Sequence, residues 1–477
     1  MTRFALSMML GLALAPATVF AQHAADNVVA HDAIDRFIEK EMAAQKIPGV
    51  ALAIMRNGAP IKLQGYGYAN LEHQVPVHAD TIFQSGSIGK MFTGMAVMLL
   101  VEDGKLDLDA SIRTYLPDAP ASWAPITVRH LLNHTGGLGD PDLDYRREYT
   151  DDELLQAYYP VPQLFPAARR WSYSNTGYAT LGIIVRKAGG EFYGDVLAKR
   201  VFAPLGMRTA RVISDEAVVP NRSAGYYVGD EGGYTNQPFV SKALNATADG
   251  SLYLSALDYV NWEDGVRRKA LLKPESWKEI TRPAPLDNGT TYPYGFGWML
   301  AKAPNGGQIM QHSGSWQGFR TNLRRYIDDG VTILVLANST SADTGKLLNG
   351  VATRYDARYT EPAPTQIADA HPDLTAATTR TLARVAAGTL TDQDFPLIGG
   401  EWRQRMFDTG RKTLAELGKC GNLAVFSDQP NGDRHARRYQ AQCRNGVLEA
   451  SSTMAADGTP DTLSVRRRAP NQPELED

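Results

Sequence analysis

Two hydrophobic periods alternate along this chain, one helical and one of strand type, and their order predicts an architecture. Residues 32–46 carry Ile34, Phe37, Ile38 and Met42 at helical spacing, which predicts an amphipathic helix that Pro48 and Gly49 stop. The run VALAIMR, the turn Asn57-Gly58 and the run IKLQGYGYA read as a β-hairpin. From Met91 to Val101 nearly every position is apolar, broken only by Thr93 and Gly94, so the helix expected from Ser87 onward is buried all round. Gly104 suits its C-terminal end.

The middle of the chain is helical by the same criteria. ITVRHLLNHTGGL predicts a short Thr-capped helix ending at Gly136-Gly137, and Thr150 to Glu153 forms a capping box. Further helices are expected over residues 177–187 and 193–202. The period then changes. Tyr294 to Trp298 is expected to open a strand, and QIMQHSGSW, FRTNLRRYI and VTILVLAN continue as β segments between Gly-rich turns. A hairpin, a helical middle and then strands predict one sheet built from both ends of a domain, with a helical region inserted between them.

After a helix expected over residues 347–355, EPAPT (361–365) and Pro372 mark a linker over 361–372. A helix over 374–387 and short strands from Trp402 onward, with a hairpin turn at Asn445-Gly446, predict a small α+β domain over 373–466. Residues 467–477 are expected to be a disordered tail.

Composition narrows the setting. The chain opens with one Arg, an apolar run from Phe4 to Leu14, and Val19-Phe20-Ala21 before Gln22, the pattern of a cleavable secretory leader over residues 1–21. The apolar run is shorter than the ~20 residues a membrane span needs, and Pro16 ends it. An exported protein, periplasmic or secreted, is expected. Removing the leader takes away one Arg and no acid, so the net charge moves from -3 to -4. Such mild acidity carries no electrostatic footprint for nucleic acid or anionic lipid. Two cysteines, Cys420 and Cys443, favour one disulfide in an oxidising compartment over a metal or redox role. His130 and His134 stand four apart on the short helix, but no third ligand accompanies them and HExxH is absent, so turn and packing roles are expected rather than a metal.

The chemistry concentrates at Ser87 and Lys90. Spacing of three on a helical face brings the hydroxyl within reach of the amine, and burial lowers a lysine pKa toward neutrality. Downstream come Tyr173-Ser174-Asn175 and His312-Ser313-Gly314-Ser315, in that order. A serine acylase needs a base, an orienting amide and an oxyanion site around its nucleophile. Tyr173 is a candidate proton shuttle, its phenol pKa lowered if it lies against a cation. Asn175 offers an amide to a substrate carbonyl, and the backbone N–H groups of Ser87 and Ser315 could hold an oxyanion.

With these motifs, and with HLLNHTGGL, ADGSLYLSALDYVNW and YGFGW, the chain resembles the serine β-lactamase and penicillin-binding-protein superfamily, in its class C, esterase and D-peptidase branch. The resemblance covers roughly residues 30–355. It implies an α/β (α+β) fold, an antiparallel sheet flanked by helices with an all-helical lobe. It also implies Ser87 as the acylated nucleophile, Lys90 and Tyr173 as its base pair, and a substrate contacted by Asn175, His312, Ser313, Gly314 and Ser315. No cofactor or metal is implied. Small molecules or peptides with an ester, amide or lactam carbonyl are the implied substrates, with a non-hydrolytic penicillin-binding sensor and a true β-lactamase as alternatives. His312 departs from the family pattern, since it replaces a permanent cation with a side chain mostly neutral at pH 7. Carboxylate recognition is therefore expected to be weak. Ala167 likewise replaces the glycine expected after Pro166.

Overall fold

The structure is a computed structural model describing residues 32–212, 217–229, 231–391, 394–395 and 400–468. The expected leader lies outside the described residues, as does the expected tail from residue 469 onward; Arg467 and Arg468, expected in that tail, are corrected to the end of a strand. Asp32 opens helix α1 (Ala33–Gln45) in a capping box with Asp35. The hairpin follows as β1 (Gly49–Arg56) and β2 (Ala59–Asn70), with the short β3 (Val75–Pro76) paired to β2.

The apolar run is α2 (Lys90–Glu102), in which every residue from Lys90 to Leu100 is buried. Each large apolar side chain there contributes about 1.5–3 kcal/mol of transfer free energy. A 3-10 turn over Gly86–Gly89 precedes it. Ser87 thus sits in that turn and not in the α-helix expected from it, and Lys90 is the first residue of α2.

Thr127 caps α3 (Val128–Leu132), which ends short of the expected glycines because His134 takes a left-handed conformation with φ 61°. The Thr150 capping box opens α4 (Asp151–Tyr158), and Ser174 caps α5 (Asn175–Gly189). Helix α6 (Ala256–Arg267) then leads back to the sheet.

Four strands complete that sheet: β4 (Met299–Lys302), β5 (Gln308–Trp316), β6 (Phe319–Tyr326) and β7 (Val331–Ala337). Tyr294 to Trp298 is not part of a strand, contrary to expectation. Gly295 N–H bonds back to Trp298 O at 2.8 Å, and Gly297, at φ 80°, presses its backbone on Lys90, where any Cβ would lie 2.7 Å from the Lys90 carbonyl. The segment is a turn moulded to the start of α2.

The strand order is β4-β5-β6-β7-β1-β2-β3, with all neighbours antiparallel, so both ends of the domain do build one sheet. Its interior strand β1 is apolar without alternation because both faces are covered. Val50, Leu52 and Ile54 pack with α1 and with α7 (Thr344–Tyr355); Ala51, Ala53 and Met55 join the core of α2 and the helical lobe.

Residues 360–371 hold no helix or strand. Beyond them α8 (Pro372–Ala387) and α9 (Gly400–Leu417) lie on an antiparallel sheet of β8 (Ala424–Asn431), β9 (Arg434–Cys443), β10 (Gly446–Ala455) and β11 (Pro460–Arg468). The expectation of strands from Trp402 onward is corrected here. Met406, Phe407, Leu414 and Leu417 recur at helical spacing and pack into the domain's core, with Gly410 against Val385 of α8. A disulfide joins Cys420 to Cys443. Among the described residues, no helix is long and apolar enough to cross a membrane.

Candidate active site

The turn before α2 delivers Ser87 to the end of β5. A Cβ placed on Gly86 would fall 2.3 Å from Ser315 N, and one on Gly314 would fall 2.1 Å from Ser85 O and 3.0 Å from Ser87 N. Only glycines allow this approach, and Thr321 Oγ1 fastens it by donating to Ser85 O at 2.7 Å. The backbone amides of Ser87 and Ser315 are thereby brought close together at this crossing. Ser87 is half-buried while its neighbours from Thr81 to Lys90 are buried, so it is the residue of this segment that solvent reaches.

Lys90 is fully buried, and its Nζ donates to Asn175 Oδ1 at 2.8 Å, to Asp249 O, and to Ser87 Oγ at 3.2 Å. Burial pushes its pKa down to about 8, with the charges of Asp249 and Asp140 opposing the fall. Two of its three partners are carbonyl oxygens, which only accept. When the amine is neutral, its two hydrogens stay on those carbonyls and its lone pair points to the Ser87 hydroxyl.

Tyr173 stands beside them, with Lys90 Nζ 4.8 Å from its ring centroid. Its hydroxyl is buried and has no partner in hydrogen-bonding geometry. Burial raises its pKa, and the nearby Ser87 hydroxyl opposes that rise only in part. The lowered phenol pKa expected from a neighbouring lysine is therefore corrected: desolvation dominates, the charges of Asp249 and Asp140 add to it, and Tyr173 remains a neutral phenol.

Asn175 is the first residue of α5, held there by the Ser174 cap, whose Oγ accepts from Gly177 N at 3.1 Å. Asp140 supports the same turn, accepting from Thr176 Oγ1 at 2.7 Å and Thr176 N at 3.2 Å. With its carbonyl on Lys90, Asn175 keeps its amide NH2 for another acceptor.

His312 is buried, and its pKa is pushed down to about 4 by desolvation and by the Lys90 charge. Its hydrogen bonds form a directed chain whose two ends are fixed by the backbone. Ser174 N–H donates to His134 Nδ1 at 3.1 Å, so that nitrogen carries no proton and His134 Nε2–H donates to Tyr294 Oη at 3.2 Å. Tyr294 then donates to His312 Nε2 at 3.0 Å, and His312 Nδ1–H donates to Ser313 O at 2.6 Å. His134, likewise buried and neutral, and Tyr294 thus tie the Tyr-Ser-Asn segment to β5.

The structure brings Ser87, Lys90, Tyr173, Asn175, Gly314 and Ser315 together around one point, with His312 behind them. Ser313 joins through its carbonyl, and its side chain is exposed. Sequence reasoning missed Asp249, Asp140, His134 and Tyr294 as parts of the site. His134, Asp249 and Tyr294 did carry a signal, since all three lie in the stretches that supported the resemblance. His130 Nδ1 accepts from Thr127 N at 3.2 Å and completes the capping box of α3.

Among the described residues, the group able to offer three metal ligands is His371, Asp428 and His435 in the C-terminal domain. Both Asp428 oxygens are already engaged, by His435 at 2.8 Å and by Arg437 at 3.1 Å, so the cluster is satisfied without a metal.

The Beta-lactamase family model matches residues 34–353. Penicillin-binding protein 4* of Bacillus subtilis (strain 168) is 31% identical over 294 residues, 57% of this chain and 64% of that protein. A D-aminopeptidase of Gluconobacter oxydans (strain 621H) is 26% identical over 313 residues, 62% of this chain and 56% of that protein. The chain thus spans less than two thirds of the length of these two curated relatives. The octameric penicillin-binding protein homologue from Pyrococcus abyssi shares the fold over 92% of this chain and 96% of its own, with TM-score 0.60 and 23% identity.

Proposed function

Since this chain belongs to the beta-lactamase family, a family of serine hydrolases, we propose that it is an exported hydrolase that forms an acyl-enzyme on Ser87 from an ester or amide carbonyl. The observation that carries this reading is the Ser87 hydroxyl 3.2 Å from a buried amine whose pKa is lowered to about 8. Neutral Lys90 removes the Ser87 proton as Oγ attacks the carbonyl carbon, and the carbonyl oxygen takes the negative charge between the Ser87 and Ser315 amides. The Asn175 amide binds the substrate's own carbonyl. Tyr173, a neutral phenol with an unpartnered hydroxyl, passes the proton from Lys90 to the departing oxygen or nitrogen. Water then attacks the ester on Ser87, giving its proton back along the same groups, and the acid leaves.

His312 supports the choice of substrate. A neutral imidazole whose two nitrogens are occupied offers no charge to a carboxylate, so substrates without one beside the scissile bond are favoured over β-lactams. The D-aminopeptidase likeness adds D-amino-acid amides to the simple esters as substrates. The Cys420–Cys443 disulfide supports export into an oxidising compartment.

The test compares a p-nitrophenyl ester, a D-amino-acid amide and a chromogenic cephalosporin on the same preparation, with Ser87→Ala alongside. Ester or amide turnover exceeding cephalosporin turnover, and its loss in Ser87→Ala, is expected. A cephalosporin rate that leads by orders of magnitude overturns the substrate argument. A stoichiometric burst without steady turnover favours a penicillin-binding sensor instead.

A further inference from the structure

The segment that carries Tyr173 into the site is held on one side by His134, whose carbonyl accepts from Ser172 N–H at 3.0 Å and whose Nδ1 accepts from Ser174 N–H at 3.1 Å. Residues 161–174 form no helix or strand. The Tyr173 hydroxyl and the Trp171 indole N–H are both buried without hydrogen-bond partners, so neither side chain pins the segment through a polar contact. Its position rests on its backbone hydrogen bonds and on ring packing, with Trp171 stacked on Tyr292 at 4.3 Å.

Part of that backbone is held by the C-terminal domain. Asn431, at the tip of the β8–β9 hairpin, accepts from Trp171 N–H at 2.8 Å and donates to Trp171 O at 2.8 Å. One buried amide thus completes both main-chain groups of a residue two positions before Tyr173, as a neighbouring strand would. The next residue, Gly432, adopts φ 61° and sits so close that a Cβ would fall 2.0 Å from Arg169 O. Asp433 then accepts from Arg169 and Arg170, each at 3.4 Å, and Asp461 of β11 reaches Arg170 at 3.2 Å. Arg170 is only 4% exposed, so this contact is an interior one.

We propose that the turn Asn431–Gly432–Asp433 is a positioning element for Tyr173, so that the reaction centre is complete only when the C-terminal domain is seated. The proposal rests on the acyl-enzyme reading above and assigns the second domain a part in it. Asn431 is a positioning residue that acts through the Trp171 backbone and touches no substrate. Displacing the phenol by even ~1 Å is enough to cost on the order of a hundredfold in rate.

The experiment is a double-mutant cycle in the full chain with Asn431→Ala and Tyr173→Phe, read as kcat and KM on an ester, with fluorophosphonate labelling mapped by peptide mass. Asn431→Ala is expected to lower kcat about tenfold or more, with KM within about twofold, and to slow labelling of Ser87 equally. In the Tyr173→Phe background the same change is expected to cost nothing further. Arg466→Ala, on the exposed side of β11, serves as a control expected to retain full activity. A kcat within twofold of the unmodified chain, or an equal loss in both backgrounds, overturns the proposal. If Asn431→Ala does not fold, Asp433→Asn loosens the same turn and enters the same cycle. Labelling at a residue other than Ser87 defeats the acyl-enzyme reading, while the cycle still decides whether the turn acts through Tyr173.

Discussion

Replacing Lys90 with methionine, which keeps an unbranched chain of similar length, is expected to stabilise the protein while abolishing turnover. The folded pKa of about 8, against 10.5 for a free lysine, means the buried ammonium is disfavoured in the folded state. That gap converts to about 3 kcal/mol lost at neutral pH. The sign follows from proton counting. The unfolded chain holds the Lys90 proton up to about pH 10.5 and the folded chain releases it from about pH 8, so stability rises with pH across that window. Below it the cost is constant, and above it the cost is gone.

Methionine removes the cost but leaves the acceptors Asn175 Oδ1 and Asp249 O without their donor, which forfeits about 1 kcal/mol apiece. A net gain of about 1 kcal/mol near pH 7, shrinking and then reversing toward pH 10, is the expected outcome. Urea midpoints followed by tryptophan fluorescence at several pH values measure it. In the unmodified chain, kcat/KM should rise about tenfold per pH unit until pH 8 and then level, because roughly one molecule in ten carries the free amine at pH 7. A Lys90→Met chain that is destabilised equally at pH 7 and pH 10, or a flat rate profile between pH 6 and 8, would refute the buried-amine argument.

Other outcomes follow from the same contacts. His312→Lys is expected to raise the ratio of cephalosporin to ester turnover by about tenfold, since a charge-assisted carboxylate contact is worth about 1.5–3 kcal/mol; an unchanged ratio means His312 does not face the substrate. Glu263→Ala leaves Arg325 buried without the paired contacts at 2.6 and 2.9 Å, and about 3–5 kcal/mol of unfolding free energy should be lost by denaturant titration. Cys420→Ser with Cys443→Ser frees a loop closed across 23 positions and should lower the C-terminal domain's stability by about 3 kcal/mol, read by calorimetry against the oxidised parent.

What was legible in the sequence was what local pattern controls. The hairpin at Asn57-Gly58, the Thr127 and Thr150 caps and the buried helix after Ser87 are all written in turn chemistry or periodicity. The errors share a cause, in that a tertiary contact outvoted the local signal. Tyr294 to Trp298 has the aromatic content of a strand but is bent by two glycines that pack on other backbone. The helix α9 runs unbroken through Gly410, a residue that weakens its helical signal and makes sense only once Val385 is seen against it. The Tyr173 pKa failed for a related reason: sequence shows the neighbouring cation, whereas burial exists only in the fold.

The departure at His312 and the free hydroxyl of Tyr173 have one origin. Tyr294 satisfies the His312 Nε2 lone pair, and the chain running back through His134 ends on the Ser174 amide, next to Tyr173 in sequence. Both imidazole acceptors in that chain are filled by donors of the protein itself, so neither is left for the Tyr173 proton. A lysine in place of His312 would add a second cation to the charge already on Lys90 and would leave Tyr294 without its acceptor. The neutral imidazole instead anchors β5 to the Tyr-Ser-Asn segment, and it leaves the phenol proton available to a substrate's departing group. A chain so wired gives up carboxylate attraction and keeps proton transfer, which is the balance that the proposed ester or amide hydrolysis requires.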